Sequence, residues 1–399
     1  MTDPIERPLA TDDRDLRVLY ALLGLAGAAL IPFFVLFLRD RGLQPQEIGL
    51  VLAVASLAGV AATPFWSHAA DTRLGSAFTL QLSCAATAAA ALALIGTGSS
   101  VVAIATVSAG LYAAQAPWTS STDALALTQL GAVRMTEYGS FRLFASIGWG
   151  VGAVAFGALF GSAGLRLMLP LVAVASVVYA VEVARFPRFR PPPMSGGSAF
   201  GAVGRALRAR RLLPFLVGVL VLATSTHAAW DFVPLRIVSG GGGAFLVGIS
   251  SGVSAFVEIP FMRSTRSLID RLGVRTVFAL GAAVYAGAAV GWSLVADAGA
   301  VTAIRIGIGV GFGLVYPSLV VMTGRLVPAE VRNSGQALMS ICSFGLAPMI
   351  GGAVGGFVYQ HIGPAQLFAG SAVGVAAGAA VVWTSVGHVG ARSATPVSE

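Results

Sequence analysis

Tyr138-Gly139-Ser140-Phe141-Arg142-Leu143-Phe144-Ala145-Ser146-Ile147-Gly148-Trp149 opens an apolar, glycine-rich run that continues to about Gly161. The run is long enough to span a bilayer. Arg142 lies about one helical turn inside it, where a charge costs roughly 2.5–3.5 kcal/mol on insertion scales. Such a residue needs a partner or a water-filled cavity, and the rest of the chain has to supply it.

Outward from this segment the same pattern recurs. Of 399 residues, 56% are hydrophobic and 11% charged, and the mean hydropathy is +0.83. No single soluble core buries that much apolar sequence. Apolar runs of membrane-spanning length are predicted near 16–38, 47–66, 78–95, 101–125, 138–160, 165–184, 212–235, 245–264, 274–295, 301–322, 333–359 and 366–386. The expected fold is an all-α membrane protein of twelve transmembrane helices in two pseudo-symmetric six-helix bundles. Its parts are a tail (1–15), an N-terminal bundle (16–185), a linker rich in proline and arginine (186–211), a C-terminal bundle (212–387) and a second tail (388–399). The first apolar segment is full length and lacks a small-residue cleavage site, so no cleaved signal is expected.

The formal charge of +8 would suggest nucleic acid in a soluble chain, but here it fits basic loops, and no nucleic-acid partner is expected. Twenty of the 25 basic residues, all of them arginine, fall on one side of the predicted topology. They include Arg7, Arg188, Arg190, Arg208 and Arg392. Arg39, Arg41, Arg166, Arg236 and Arg305 fall elsewhere. By the positive-inside rule both termini are cytoplasmic, in an inner or plasma membrane. Cys84 and Cys342 fall in separate apolar segments, so no structural disulfide is expected.

The halves echo each other. Pro64-Phe65-Trp66 leads to Asp71 and Gly75, as Pro260-Phe261-Met262 leads to Asp270-Arg271-Leu272-Gly273, and Pro117 is answered by Pro317. Parallel repeats of this kind suit a transporter with its substrate site between the bundles.

Together these features resemble the major facilitator superfamily. Asp270-Arg271-Leu272-Gly273-Val274-Arg275 resembles its loop motif. The first-half copy, Asp71-Thr72-Arg73-Leu74-Gly75, has one residue too many between Asp and Gly, and Ser67 stands where a glycine is usual. Pro32-Phe33-Phe34, Arg41-Gly42-Leu43, Glu47-Ile48-Gly49, Asp123-Ala124-Leu125 and the Tyr138–Gly148 run resemble the branch containing lactose permease, phenylpropionate permease and nucleoside–proton symporters. Val257-Glu258-Ile259-Pro260 and Gly335-Gln336-Ala337-Leu338 extend the likeness. The resemblance implies that Arg142 hydrogen-bonds substrate, that Trp149 stacks on it, and that Asp123, one position out of register, pairs with the arginine. It also implies a gating role for Asp71, Arg73, Gly75, Asp270, Arg271, Gly273 and Arg275. Ile308 stands where the family often has histidine, so the lactose permease proton relay does not carry over.

Beside that resemblance stand the residues themselves. Asp123 and Arg142 lie at similar depth on neighbouring antiparallel helices. They form either a substrate or proton site or a structural ion pair locking the hairpin. Glu258 is an intramembrane carboxylate with no adjacent cation, which suits a proton carrier; otherwise it caps a kink at Pro260. His227, Trp230 and Asp231 share a helical face, either lining a cavity or sitting in an outer aromatic belt with Arg236 nearby. Arg305 either snorkels to the interface or binds ligand. Tyr20, Gln115, Trp118 and Tyr316 either pack or line the cavity. Six glycine pairs at i, i+4 permit close helix approach.

There is no phosphate loop with lysine, no metal-ligand spacing and no nucleophile–base pair, so no cofactor, no metal and no enzyme activity are expected. The expected function is secondary active transport, led by proton-coupled symport of a sugar, nucleoside or aromatic acid by a monomer. The expected substrate-binding residues are Arg142, Asp123, Trp149, Trp230 and His227. The expected proton-coupling residues are Glu258, Asp231 and Asp123. Proton-driven efflux of sugars or drugs, and a non-transporting sensor or scaffold, stay open.

Overall fold

The computed structural model describes residues 12–134, 137–187, 204–207 and 209–387. Arg7, Arg188, Arg190, Arg208 and Arg392, with most of the expected linker and both tails, lie outside the described residues. Among the described residues there are no strands. The first half runs α1 (Asp13–Asp40), α2 (Pro45–Ala69), α3 (Gly75–Ile95), α4 (Val101–Gln115), α5 (Trp118–Arg134), α6 (Tyr138–Ala163) and α7 (Met168–Val183). The second runs α8 (Leu212–Trp230), α9 (Val233–Ser239), α10 (Ala244–Leu272), α11 (Val274–Leu294), α12 (Ala298–Leu326), α13 (Arg332–Ser340), α14 (Ala347–His361) and α15 (Pro364–Val386).

Among the described residues, eleven helical stretches are long and apolar enough to cross a membrane. One of them, Pro45–Ile95, is 51 residues long, more than twice the roughly 20 residues a crossing needs. It holds both α2 and α3, which gives twelve crossings. The pairs α4–α5, α8–α9 and α13–α14 each form one crossing with an internal break. Large side chains such as Leu294 (79% exposed) project outward, which water would penalise and lipid does not.

Helix ends follow local chemistry. Asp12 accepts a hydrogen bond from the Arg14 N–H at 3.2 Å and starts α1 at Asp13, ahead of the expected residue 16. Glu47 accepts from the Gln44 N–H at 2.7 Å, with Pro45 at the first position of α2. Gly75 and Gly273 occupy equivalent places before α3 and α11, with φ of 72° and 80°. A side chain there would be strained, so each glycine lets the chain reverse between crossings. The proline echo is only partial. Pro117 separates α4 from α5, whereas α12 continues through Pro317. The seventh crossing breaks at Asp231–Phe232, just before Pro234, and ends at Ser239 rather than at residue 235.

Helix pairing repeats between the halves. In the first half α1 packs on α6 and α7, α2 on α4, α3 on α7, and α3 on α4. In the second, α8 packs on α14 and α15, α10 on α12, α11 on α15, and α11 on α12. Crossing for crossing, these are the same pairs. The two halves meet through α6 with α10 and through α2 with α14, again one relation seen twice.

Glycines make these contacts possible. A Cβ on Gly148 would overlap the Ala21 carbonyl oxygen, and one on Gly24 would overlap that of Ala145. Across the halves, Gly49 faces Gly352 and Gly356, and Gly157 faces Gly248. The inter-half contacts through α2 and α14 are reinforced beside the 41–44 loop. There the Gln46 N–H donates to Gln360 Oε1 at 2.9 Å, and the Gln46 side chain meets His361 Nε2 at 2.9 Å. At the opposite end Arg134 donates to both Asp13 oxygens (2.8 and 2.9 Å) and to Glu137 (2.7 Å). That guanidinium holds the Glu137 carboxyl below the usual carboxylate range.

Because the obstacle at Gly148 is backbone, Gly148→Ala forces α1 and α6 apart and is expected to cost about 1–3 kcal/mol. Gly139→Ala, with nothing within 4 Å of the new methyl, is expected to change stability by less than about 0.5 kcal/mol. Thermal unfolding of the detergent-solubilised protein followed by tryptophan fluorescence distinguishes the two. Equal melting points would contradict the packing described.

Candidate functional site

Asp123 on α5 and Arg142 on α6 meet as the depth match anticipates. Arg142 Nη1 donates to Asp123 Oδ2 at 2.7 Å and to the Tyr138 hydroxyl at 2.8 Å. The other oxygen, Asp123 Oδ1, accepts from the Tyr20 hydroxyl on α1 at 2.8 Å. Tyr20 is fully buried and sits edge-on to Tyr138 at 6.4 Å. Three crossings are therefore tied through one carboxylate. Only Nη1 of the guanidinium is engaged among the described residues. The Arg142 side chain is 47% exposed and Asp123 20%, so the remaining N–H donors of the fork are open to a ligand. Tyr138 escaped notice as a site residue although its spacing, four before Arg142, puts both on one face.

The second half presents its own polar groups. Glu258 on α10 makes no hydrogen bond or ion pair among the described residues, so the alternative reading, a cap at the Pro260 kink, is not met. The charge of Arg142, on the opposite half, reaches it. Tyr316 on α12 also lies within electrostatic reach of Arg142. Trp149 Nε1 donates to Ser251 Oγ on α10 at 2.9 Å, linking the halves. Its ring lies where a side chain on Gly27 would be, 2.9 Å from Cζ3. Ser251 had no signal in the sequence, since its partner is 102 residues away.

At the end of α8, His227 Nδ1 stands 3.9 Å from Asp231 Oδ1, and the His227 ring stacks on Trp230 at 5.9 Å. Two of the open alternatives are not met here. Arg236 does not pair with Asp231; it donates to the Val295 carbonyl at 2.9 and 3.2 Å. Arg305 does not snorkel. It is 7% exposed, and its guanidinium carbon lies 4.6 Å over the Trp230 ring, beside the break after Trp230.

The loop motifs are placed differently from one another. Asp71 and Arg73 fall in a π-helical turn, Ala70–Leu74, and are exposed. Asp270 and Arg271 are also exposed. Arg275 instead ties α11 to the end of α15: it donates to Trp383 O at 3.0 Å and Gly387 O at 3.2 Å, and stacks 4.1 Å over the Trp383 ring. A cleft of about 380 Å³ between the halves, lined by Arg39, Gln44, Ser239 and Tyr359 among others, holds none of the candidate residues. Among the described residues no group of three or more His, Cys, Asp or Glu comes together as a metal site.

Comparison with known proteins agrees with this architecture. The chain is 27% identical over 354 residues to a maltose permease of Geobacillus stearothermophilus, covering 88% of this chain and 89% of the permease. It is 22% identical over 354 residues to the uncharacterized transporter YwbF of Bacillus subtilis (strain 168), covering 86% and 85%. Crystal structures of the nucleoside transporter NupG superpose with TM-scores of 0.81 (a mutant) and 0.78 at 15% identity. They cover 94% of this chain and 99% and 98% of theirs, which is a likeness of fold. The model of the MFS_1-like family matches residues 15–370. The relatives are membrane transporters rather than enzymes, and this chain belongs to the MFS_1-like family, a multi-pass transporter of the major facilitator fold.

Proposed function

We propose that the chain couples proton movement to the uptake of a small polar solute, a sugar, by alternating access between its two six-helix bundles. The observation that supports this most directly is the Tyr20–Asp123–Arg142–Tyr138 network. It leaves guanidinium donors unspent within electrostatic reach of Glu258, an intramembrane carboxylate of the opposite half with no bonded partner among the described residues. A sugar hydroxyl can accept from the free N–H groups of Arg142. Trp149, at the same interface, supplies an apolar ring face. Sugar is chosen over nucleoside or aromatic acid because the maltose permease is similar along most of the chain. NupG supports the fold alone.

The arginine distribution puts the 41–44 loop outside and both termini in the cytoplasm. In that orientation the halves are clasped on the outer side by Gln46, Gln360 and His361, while Arg142 remains open near the inner end. Protonation of Glu258 would cancel the one intramembrane carboxylate that has no contact partner, letting the α6–α10 and α2–α14 contacts exchange ends without carrying an uncompensated charge. The loop residues Asp71, Arg73, Gly75, Asp270, Arg271, Gly273 and Arg275 act in this account in gating.

In proteoliposomes, an imposed pH gradient is expected to drive maltose accumulation. Glu258→Gln is expected to abolish gradient-driven accumulation while leaving maltose counterflow within about threefold, and Arg142→Ala to abolish both. Accumulation that survives Glu258→Gln would remove that residue from coupling, and gradient-driven export would reverse the direction.

Tyr20→Phe deletes a single hydroxyl. It is expected to lower stability by about 1–2 kcal/mol, the scale of a polar contact within membrane helices, and to raise the half-saturation concentration of counterflow. A change in melting point without any change in counterflow would confine the network to structure.

A further inference from the structure

The Arg305 guanidinium has no use in the account above. It sits on α12 about 10 Å from that helix's start, by the rise of about 1.5 Å per residue. The side chain is 7% exposed, yet among the described residues it makes no hydrogen bond and no ion pair, and its Nε is buried with no partner. The Trp230 ring centroid lies 4.6 Å from the guanidinium carbon. Buried arginines are held by carboxylates or backbone carbonyls because each N–H left without an acceptor is costly. The natural partner is present but not joined. Asp231 adjoins Trp230, and its charge reaches Arg305, but the two side chains form no ion pair.

Asp231, 3.9 Å from His227 Nδ1, also lies within electrostatic reach of the Tyr112 hydroxyl of α4 in the first half. The patch therefore holds an aromatic floor, a donor fork and an acceptor, with the acceptor near the seam between the bundles. A donor and an acceptor held apart match a pair of adjacent hydroxyls, one accepting from arginine and the other donating to carboxylate. A lone anion would satisfy Arg305 but face Asp231, and a cation the reverse.

We propose that Arg305, Asp231 and Trp230 form a second sugar subsite that grips a vicinal diol, separate from the Arg142 site and nearer the 41–44 end. This rests on the sugar reading above and deepens it: the solute must carry a neutral diol. Arg305 and Asp231 bind it directly, and Trp230 positions the guanidinium.

The test pairs protein variants with ligand variants. Maltose binding to the detergent-solubilised full chain is measured by calorimetry, alongside maltose analogues each lacking one ring hydroxyl. Arg305→Ala and Asp231→Asn are each expected to weaken maltose binding at least tenfold. The deoxy analogue that loses most against the natural chain is expected to lose nothing further against Arg305→Ala, because the same contact has already gone. A merely structural arginine would weaken all analogues by the same factor, and that result overturns the proposal. Should Arg305→Ala fail to fold, Asp231→Asn and the analogue series on the natural chain decide. Deoxy analogues that all bind as maltose does would overturn the subsite. If the natural chain binds neither maltose nor any other sugar, the sugar reading fails first and the subsite with it. Retained maltose binding in both variants overturns the subsite alone.

Discussion

A charge carried into a bilayer has to be compensated inside the protein, and Arg142 shows how completely this constrains the chain. Its insertion cost is offset by a carboxylate from another crossing, which must then sit at the same depth and point the same way. Asp123 does so, and its second oxygen is taken by Tyr20 of a third crossing. One ion pair therefore sets the relative rotation of α1, α5 and α6. It does so without exhausting the guanidinium, so the group that orders the first bundle keeps donors for a ligand. The aromatic groups around it are arranged by the same requirement, with the Tyr138 hydroxyl accepting from Arg142 on one side and Trp149 anchored to Ser251 on the other.

The second constraint is backbone proximity. Apolar helices gain little from burying apolar surface in lipid, so they associate through close packing where side chains are absent. Gly24 and Gly148 bring α1 against α6, and Gly309 meets the Ser254 carbonyl on α12 and α10. Gly49, Gly352 and Gly356 do the same between the halves. Contacts built from backbone are close but carry few directional bonds, a property suited to surfaces that separate and reform. The directional bonds at the seam are few: the Gln46–Gln360–His361 clasp and the Trp149–Ser251 link.

The pairing of crossings repeats from one half to the other, yet the local backbone does not. The first crossing runs unbroken through Pro32, whereas its counterpart breaks between Trp230 and Val233. That break has consequences for charge. It takes Asp231 out of regular helix, and beside it Arg305 is buried over an aromatic ring instead of reaching the membrane surface.

Much of this was legible in one dimension. Apolar run length set the number of crossings, glycine and acidic residues marked their ends, and equal distance from the ends of a hairpin matched Asp123 with Arg142. These depend on properties of single segments, and hydropathy, capping and helical rise are local. Face and rotation are not local. Whether Arg305 snorkels or is buried, whether Glu258 finds a cap, and that Trp149 spends its N–H on Ser251 are decided by how helices far apart in sequence turn toward one another. A pattern that is apolar all round, as most of these helices are, gives no stripe from which to read that rotation. The sequence by itself therefore determined that the chain crosses the membrane twelve times as two related halves, with charges inside that must be paired. Only the tertiary structure decided which charges meet, because pairing inside a membrane depends on helix rotation set by glycine contacts and breaks.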